Sequence, residues 1–144
     1  MTERITITKK KSRELVRLKS PAAFPNLVVR QLSFFLDTLD PYTKVHAYDV
    51  LPGEIDISEL GLVPIPDDLQ DAIDDPAEVY IVPMLGVNSL NYRLGRGGGF
   101  YDRLLKKVPS ALVVGVTSES RRIEFLEEGH DVPMDIVITE RGQH

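Results

Sequence analysis

The stretch Glu78–Thr117, EVYIVPMLGVNSLNYRLGRGGGFYDRLLKKVPSALVVGVT, contains the elements that decide the fold. Its first six residues, Glu78–Pro83, form a compact apolar run that predicts a strand. Ala111–Thr117 is almost continuously apolar, which is typical of a strand buried on both faces. Between these strands, the spacing of apolar residues within Tyr101–Val108 predicts a helix. A strand, a helix and a second strand in this order favour a mostly parallel sheet flanked by helices.

The rest of the chain extends the same alternation. The further predicted elements are helices over Lys9–Lys19, about Asn26–Leu39 and Ser118–Glu128, and strands over Lys44–Leu51 and Met134–Thr139. The section from Gly61 to Pro76 is rich in Pro and Asp, which predicts a loop with about one turn of helix. We therefore predict a single α/β domain over residues 1–144, in three layers, with ligands bound where loops leave the carboxyl ends of strands. Three such loops are Pro52–Asp56, Pro83–Gly99 and the turn around Thr139.

The composition excludes several classes of function. The 144 residues include no cysteine, which rules out disulfides, thiolate metal sites and a cysteine nucleophile. No apolar run is long enough to span a membrane, and no signal-peptide pattern follows the charged N-terminus. Residues 1–19 are basic, but the whole chain has a net charge of −5 and no nucleic-acid reader motif, so nucleic-acid binding is disfavoured. A reducing, cytoplasmic setting fits these features.

The glycine-rich loop Arg93–Arg103 carries the strongest functional signal. Four of the five positions Gly95–Gly99 are glycine, so backbone amides can approach and surround an anion. Arg93 and Arg96 can add charge and bidentate contacts to phosphate oxygens, and Asp102 is placed to hold Mg²⁺ beside them. The alternative is a flexible turn in which Asp102 is only a helix-start charge. The loop matches neither the dinucleotide fingerprint nor Walker A, and we favour an anion site.

Several motifs in a fixed order resemble the 5-formyltetrahydrofolate cyclo-ligase family. The densest match is Arg-Leu-Gly-x-Gly-Gly-Gly-Phe-Tyr-Asp-Arg within Val79–Leu105, preceded by a strand that ends in Val-Pro. The other matching segments are Lys9-x-x-x-Arg13, Ala47-Tyr48, Pro52-Gly53-Glu54-Ile55-Asp56, Val113-Val114-Gly115-Val116, His130-Asp131-Val132-Pro133-Met134-Asp135 and Val137-Ile138-Thr139-Glu140. The resemblance covers most of the chain and implies a NagB-like, Rossmann-type fold.

The resemblance also implies a reaction. ATP, with Mg²⁺, would activate the formyl oxygen of 5-formyltetrahydrofolate as a phosphate ester, and N10 would close the ring to give 5,10-methenyltetrahydrofolate, ADP and phosphate. The family's middle section is longer than Leu60–Ala77, so two alternatives stay open. One is an ATP-binding relative that acts on another substrate, and the other is a non-catalytic member that binds a nucleotide or a protein partner.

Site residues follow from the same resemblance, position by position. The ATP-binding set is Lys9, Arg13, Arg93, Leu94, Gly95, Arg96, Gly97, Gly98, Gly99, Phe100 and Tyr101, with Arg93 and Arg96 as electrostatic candidates and no nucleophile assigned. The metal ligands are Asp102 and Asp135, and the folate contacts are Glu54 and Tyr101. On sequence alone, each has a structural alternative. Lys9 and Arg13 are then solvated helix charges, which is the favoured interpretation of these two, Glu54 is a loop acid and Asp135 is a turn residue.

The histidines and the partners complete the expectations. We interpret His46 as a satisfied, half-buried strand residue and His130 as a structural turn residue, and the histidine spacing suggests no zinc site. The expected partners are ATP and a reduced formyl-folate, with no nucleic acid and no membrane. The chain is expected to be a monomer or a small homo-oligomer.

Overall fold

A computed structural model describes residues 7–17 and 23–144 of the chain. The helices of this part are α1 (Lys9–Arg17), α2 (Pro25–Asp37), α3 (Leu69–Asp74) and α4 (Phe100–Lys107). The strands are β1 (Val45–Ala47), β2 (Val63–Pro64), β3 (Val79–Pro83), β4 (Gly86–Val87), β5 (Arg93–Leu94), β6 (Leu112–Val116), β7 (Ile136–Thr139) and β8 (Gly142–Gln143). Two 3₁₀ turns, Ser58–Leu60 and Glu119–Arg121, complete the regular structure.

Six of the strands form one sheet in the order β2-β1-β3-β6-β7-β8. Neighbouring strands run parallel, except for the antiparallel pair β7–β8. All five residues of β3 are buried, as expected for a central parallel strand covered on both faces. The predicted mostly parallel sheet is confirmed.

Helices cover both faces of the sheet. Along β3, Ile81 joins a buried cluster with Leu32 of α2, whereas the adjacent Tyr80 joins a second cluster with Leu104 of α4. Successive side chains of a strand point to opposite faces, so each central strand contributes to both clusters. The three-layer arrangement is therefore confirmed.

One predicted helix is wrong. The segment Ser118–Glu128 begins with the 3₁₀ turn Glu119–Arg121 and then runs extended. Ile123 donates its backbone N–H to Val87 O of β4 at 2.9 Å, and Leu126 donates to Ile7 O at 2.6 Å. These bonds to other segments replace the helical ones, and they leave Phe125 fully buried.

Other element boundaries differ less. Helix α1 was predicted to reach Lys19, but residues 18–20 lie outside the described part of the chain. The strand predicted over Lys44–Leu51 is regular only at Val45–Ala47. The section predicted as a loop contains β2 and α3, whose first turn is capped by the side chain of Asp68. Strand β8 was not predicted at all.

The sheet topology marks one place for a ligand. From β1 the chain moves outward to β2 on one side, whereas β3, β6 and β7 follow one another on the other side. The connections thus diverge between β1 and β3, and the crevice at the carboxyl ends of such strands is the usual binding site of open α/β sheets. Within residues 7–17 and 23–144, no helix is long and apolar enough to cross a membrane.

Candidate active site

The glycine-rich loop leaves the antiparallel ribbon β4–β5 and runs into α4. Gly97 and Gly99 have φ angles of 103° and 73°, a region that strains any residue with a β-carbon. Two guanidinium groups hold the loop from outside: Arg13 Nε donates to Gly95 O at 2.8 Å, and Arg103 Nη1 donates to Gly98 O at 3.1 Å. The loop therefore keeps its shape through bonds to its carbonyls and leaves its amides available.

Helix α4 begins immediately after this loop, at Phe100. Its N-cap, Gly99, offers no side-chain hydrogen bond, so the first amides of the helix lack the partner that a capping side chain would give. A β-carbon added at Gly98 would meet no atom within 4 Å, which shows that this part of the loop faces open space. The arrangement suits an anion, because loop amides and a helix N-terminus converge there.

Arg93 lies beneath the loop instead of reaching into the open space. Its Nε and Nη2 donate to Pro83 O at 3.1 and 3.0 Å, and its guanidinium stacks 4.9 Å from the centre of the Tyr101 ring. Burial lowers the pKa of Arg93, and the nearby Asp102 opposes that shift. Leu94, which belongs to the expected ATP set, also has a fully buried side chain. The structure places both residues where they support the loop.

Glu54 joins the loop after β1 to the glycine-rich loop. Its Oε2 accepts from Arg96 Nε at 3.3 Å, and its Oε1 accepts from Leu51 N at 2.8 Å. Arg96 also donates to Pro52 O. The contacts span the crevice between β1 and β3, so the structure brings together a residue expected at the folate and one expected at the phosphates.

Two tyrosines line the same region. Burial raises the pKa of Tyr101 to about 12, against the opposing effect of Arg93. Burial also raises the pKa of Tyr48, helped by Glu54, and the Tyr48 hydroxyl donates to Ile55 O. Both phenols stay protonated near neutral pH, so they act as hydrogen-bond donors and not as bases.

Three side chains near the start of α4 form a candidate metal centre: Asp102, His130 and Asp131 each offer a ligand atom within 4.8 Å of the other two. Asp102 is 8% exposed, and its Oδ1 has no hydrogen-bond partner among the described residues. The Asp131 carboxylate is equally buried, and its Oδ2 accepts from Lys9 Nζ at 2.6 Å and from Glu128 N at 2.7 Å. Buried carboxylate oxygens without donors are suited to a hard divalent cation.

Asp135, the second expected metal ligand, lies apart from Asp102 and Asp131. Its Oδ2 accepts from Val113 N at 2.8 Å, next to the first residue of β7. A residue directly before a parallel strand lies at the amino edge of the sheet, opposite the ligand crevice. Asp131 is the carboxylate that the structure brings to Asp102. The strand direction was the signal in the sequence that separates these two aspartates.

Helix α1 connects the glycine-rich loop to this candidate metal centre. Lys9 and Arg13 are four residues apart and share one face of the helix. Lys9 binds Asp131, and Arg13 binds the Gly95 carbonyl. Lys9 is only 5% exposed, so its interpretation as a solvated helix charge is wrong.

The profile of the 5-formyltetrahydrofolate cyclo-ligase family matches residues 30–140, which include the glycine-rich loop, Glu54 and both carboxylates of the candidate metal centre. The chain belongs to this family. One relative in the cyclo-ligase family, from Mycolicibacterium smegmatis, is 40% identical over 91 residues, or 61% of this chain and 47% of the relative. Another, from Mycoplasma pneumoniae, is 25% identical over 107 residues, or 74% of this chain and 65% of the relative. The chain thus matches between about half and two-thirds of the length of these two cyclo-ligases.

Two solved structures share the fold of this cyclo-ligase family member. The 5,10-methenyltetrahydrofolate synthetase of Aquifex aeolicus superposes with a TM-score of 0.68 at 22% identity, covering 94% of this chain and 91% of that one. The 5,10-methenyltetrahydrofolate synthetase of Mycoplasma pneumoniae gives 0.66 at 21% identity, covering 90% and 94%. At these identities the likeness establishes the fold alone.

The short middle section of this cyclo-ligase relative contributes to a pocket beyond the carboxyl end of β1. The pocket measures about 360 Å³ and is lined by Ala47, Tyr48, Asp49, Val50, Ile57, Ser58, Leu62 and Pro64. Leu62 and Pro64 come from the section that was expected to be abbreviated. An open pocket is therefore present on the β1 side of the crevice.

The remaining expected positions have structural roles. His46 is buried, with its ring edge against Tyr80, and its Nδ1 has no hydrogen-bond partner among the described residues, so it is not the satisfied histidine that we expected. Thr139 closes the β7–β8 hairpin, because its hydroxyl accepts from Arg141 N and contacts His144 Nε2 at 3.1 Å. The third candidate loop is thus occupied by that hairpin.

Proposed function

We propose that this chain converts 5-formyltetrahydrofolate to 5,10-methenyltetrahydrofolate, using ATP as its Mg²⁺ complex and releasing ADP and phosphate. Family membership supports the reaction class. One observation carries the proposal: the glycine-rich loop contacts Glu54 through Arg96 and leads into α4, which carries Asp102 of the candidate metal centre. A phosphate bound on this loop would lie between the crevice and that centre.

The triphosphate would lie on the glycine-rich loop. The amides of residues 97–102 and the N-terminus of α4 would bind phosphate oxygens, and Arg96 and Lys9 would neutralise charge. Arg93 would act through Pro83 and Tyr101 by holding the loop in place. Phosphoryl transfer depends mainly on positioning and charge neutralisation, which this set of groups provides.

Asp102 and Asp131 would hold the magnesium ion. Each offers a buried carboxylate oxygen without a hydrogen-bond partner among the described residues. A bound Mg²⁺ would neutralise phosphate charge as it develops during transfer. The second oxygen of Asp131 is already oriented by Lys9 and by the Glu128 amide, which fixes the direction of the first.

The folate would lie across the crevice toward the pocket beyond β1. Its formyl oxygen would attack the γ-phosphorus as the bond to ADP breaks. N10 would then add to the formyl carbon and lose its proton, and the carbon–oxygen bond would break as phosphate leaves. Glu54 and Tyr101 would orient the pterin, and no protein nucleophile is needed.

The direct test mixes the protein with 5-formyltetrahydrofolate, ATP and Mg²⁺ and follows methenyltetrahydrofolate by its absorbance and ADP by a coupled assay. We expect the two products to form in equal amounts, and only when all three components are present. Tight binding of Mg-ATP without either product would contradict the proposal and favour an ATP-binding relative with another substrate.

Asparagine substitutions test which aspartates are metal ligands. Asp102→Asn and Asp131→Asn should each lower kcat by at least about a hundredfold, because each removes a charged ligand oxygen. Asp135→Asn is the matched control, since an amide oxygen can still accept from Val113 N. Its kcat should stay near that of the unchanged chain, and an equal loss in all three variants would overturn the assignment.

A further inference from the structure

We propose that His130 is a third ligand of the divalent-cation site and that its nitrogen makes this site prefer borderline transition metals, such as Co²⁺ and Ni²⁺, over Mg²⁺. The inference rests on the metal site of the proposed function, formed by Asp102 and Asp131. It adds the identity of the third ligand and the class of cation that the site selects.

The geometry supports a single ion among the three side chains. Their ligand atoms lie within 4.8 Å of one another, and His130 Nε2 lies 3.7 Å from Asp131 Oδ1. Two ligands of one ion, each at about 2.1 Å, lie at most roughly 4.2 Å apart. Small side-chain rotations therefore bring all three atoms onto one ion.

The two oxygens of Asp131 have different surroundings. Oδ2 accepts from Lys9 Nζ and from the Glu128 amide, whereas Oδ1 is buried, has no hydrogen-bond partner among the described residues and faces the imidazole. An ion can bind Oδ1 without displacing Lys9. Asp102 is also more than nine-tenths buried and has an unpartnered oxygen, so two buried carboxylates share this feature within one group.

His130 is free to turn toward the ion. Its ring is 58% exposed, and its Nε2 lies 3.2 Å from Glu128 Oε2 in a pair that is open to solvent. Such exposed ion pairs contribute little to stability. The loss of the Glu128 contact when His130 turns to the ion therefore lowers metal affinity only slightly.

The ligand types decide which cation is preferred. Two carboxylate oxygens alone suit Mg²⁺, whereas an imidazole nitrogen suits Co²⁺, Ni²⁺ and Zn²⁺. Lys9 contacts Asp131, and Arg93 interacts electrostatically with both aspartates, so positive charge offsets part of the attraction that the two carboxylates exert on any dication. Because the net electrostatic attraction for a dication is reduced, the nitrogen ligand has more influence than charge on which cation the site prefers.

The test measures Co²⁺ and Mg²⁺ binding by calorimetry to the full chain, without a histidine tag, nucleotide or folate, and records the visible absorption of the Co²⁺ complex. We expect Co²⁺ to bind one site more tightly than Mg²⁺. His130→Asn should lower Co²⁺ affinity by at least about tenfold and change the visible spectrum, while Mg²⁺ affinity stays unchanged. His144→Asn removes another exposed imidazole and should leave Co²⁺ binding as it is.

Three outcomes would overturn the inference. If His130→Asn leaves Co²⁺ affinity and the spectrum unchanged while Asp102→Asn abolishes binding, His130 is not a ligand and the magnesium site of the proposed function stands. An equal loss of Co²⁺ and Mg²⁺ affinity in His130→Asn would mean that His130 only positions Asp131. If His144→Asn abolishes Co²⁺ binding, the ion binds at that histidine. Methenyltetrahydrofolate formation with Mg-ATP is measured separately, so failure of the proposed function is recognised independently.

Discussion

Glu54 is the residue at which the two sides of the crevice meet. One carboxylate oxygen binds Arg96 of the glycine-rich loop, and the other binds the Leu51 amide of its own loop. The carboxylate is only 4% exposed, so these contacts are not in competition with bulk water. A folate that binds Glu54 would share this carboxylate with Arg96, which would couple the position of the folate to the shape of the glycine-rich loop.

Replacing Glu54 by Gln should therefore weaken folate binding more than ATP binding. The amide keeps one acceptor oxygen but loses the charge, and hydrogen bonds to charged groups contribute about 1.5–3 kcal/mol. We expect the KM for 5-formyltetrahydrofolate to rise by roughly ten- to a hundredfold, with a smaller rise in the KM for ATP. Steady-state kinetics on Glu54→Gln and on Glu59→Gln, an exposed acid of the neighbouring 3₁₀ turn, measure this. Equal KM values for both variants would remove Glu54 from the folate site.

A second prediction at this scale concerns His46 and pH. Burial lowers the pKa of His46, with Lys44 adding to the shift and Asp75 opposing it. Because the unfolded chain then binds a proton more readily than the folded chain, stability is present above the unfolded pKa of about 6.5 and is lost as pH falls below it. The free energy of unfolding should decrease from pH 6.5 to 5.5, by less than about 1.4 kcal/mol from this residue.

His46→Leu removes this titration. Since His46 Nδ1 has no hydrogen-bond partner among the described residues, its loss breaks no hydrogen bond there. The variant should show a shallower slope of unfolding free energy against pH in urea titrations at both pH values. An unchanged slope would assign the pH dependence to other groups.

At the scale of elements, the glycine-rich loop takes its shape from its neighbours more than from its own side chains. A β-carbon at Gly95 would lie 2.7 Å from Arg93 Nη1, whereas one at Gly98 would meet nothing within 4 Å. Both positions have ordinary φ angles, so backbone strain does not distinguish them. The loop therefore has one face packed on Arg93 and one face open.

Alanine at these two glycines should separate folding from ligand binding. Gly95→Ala forces the Arg93 guanidinium off Pro83 O and should lower the free energy of unfolding by about 1–3 kcal/mol, as overpacking does. Gly98→Ala should leave stability within about 0.5 kcal/mol but weaken ATP binding, because its methyl group stands where phosphate approaches. Urea denaturation and ATP calorimetry measure the two effects. Full ATP affinity in Gly98→Ala would place the phosphates elsewhere.

At the scale of the whole molecule, α1 contacts two segments that are distant in sequence, the turn at Asp131 and the glycine-rich loop. Lys9 forms a buried ion pair with Asp131, and Arg13 binds the glycine-rich loop. Val16 adds an apolar contact in a cluster with Leu94 and Phe125. The candidate metal centre and the glycine-rich loop thus depend on the same helix.

Lys9→Met tests this dependence. It leaves Asp131 buried without its cation, and breaking a buried ion pair in this way destabilises by about 3–5 kcal/mol. Lys11→Met is the matched control, since Lys11 pairs with Glu14 at the surface, where such pairs contribute at most about 1 kcal/mol. Urea unfolding gives the stabilities, and hydrogen exchange reports whether α1 detaches first. Wild-type protection of α1 in Lys9→Met would show that the pair does not hold the helix.

Much of this architecture is predictable from local pattern. The apolar runs of β3, β6 and β7 specify central parallel strands, because only a doubly covered strand is apolar at successive positions. Four glycines within Gly95–Gly99, between a strand and a helix, favour an anion-binding loop, because amides without neighbouring β-carbons can converge. The resemblance in motif order then indicated the family.

Tertiary structure decided three points that the local pattern left open or misdirected. The segment 118–128 is extended because its backbone bonds go to β4 and to Ile7, partners that no window of sequence contains. Arg93 turns beneath the loop because Pro83 O and the Tyr101 ring lie there. Asp131, and not Asp135, stands beside Asp102, because the direction of a parallel strand places the residue before it at the opposite edge of the sheet. The sequence by itself determined the layers and the position of the glycine-rich loop, since both follow from short-range pattern. The set of side chains that meet at the candidate metal centre was settled only by folding, since Asp102, the neighbours His130 and Asp131, and Lys9, which binds Asp131, come from three separate segments of the chain.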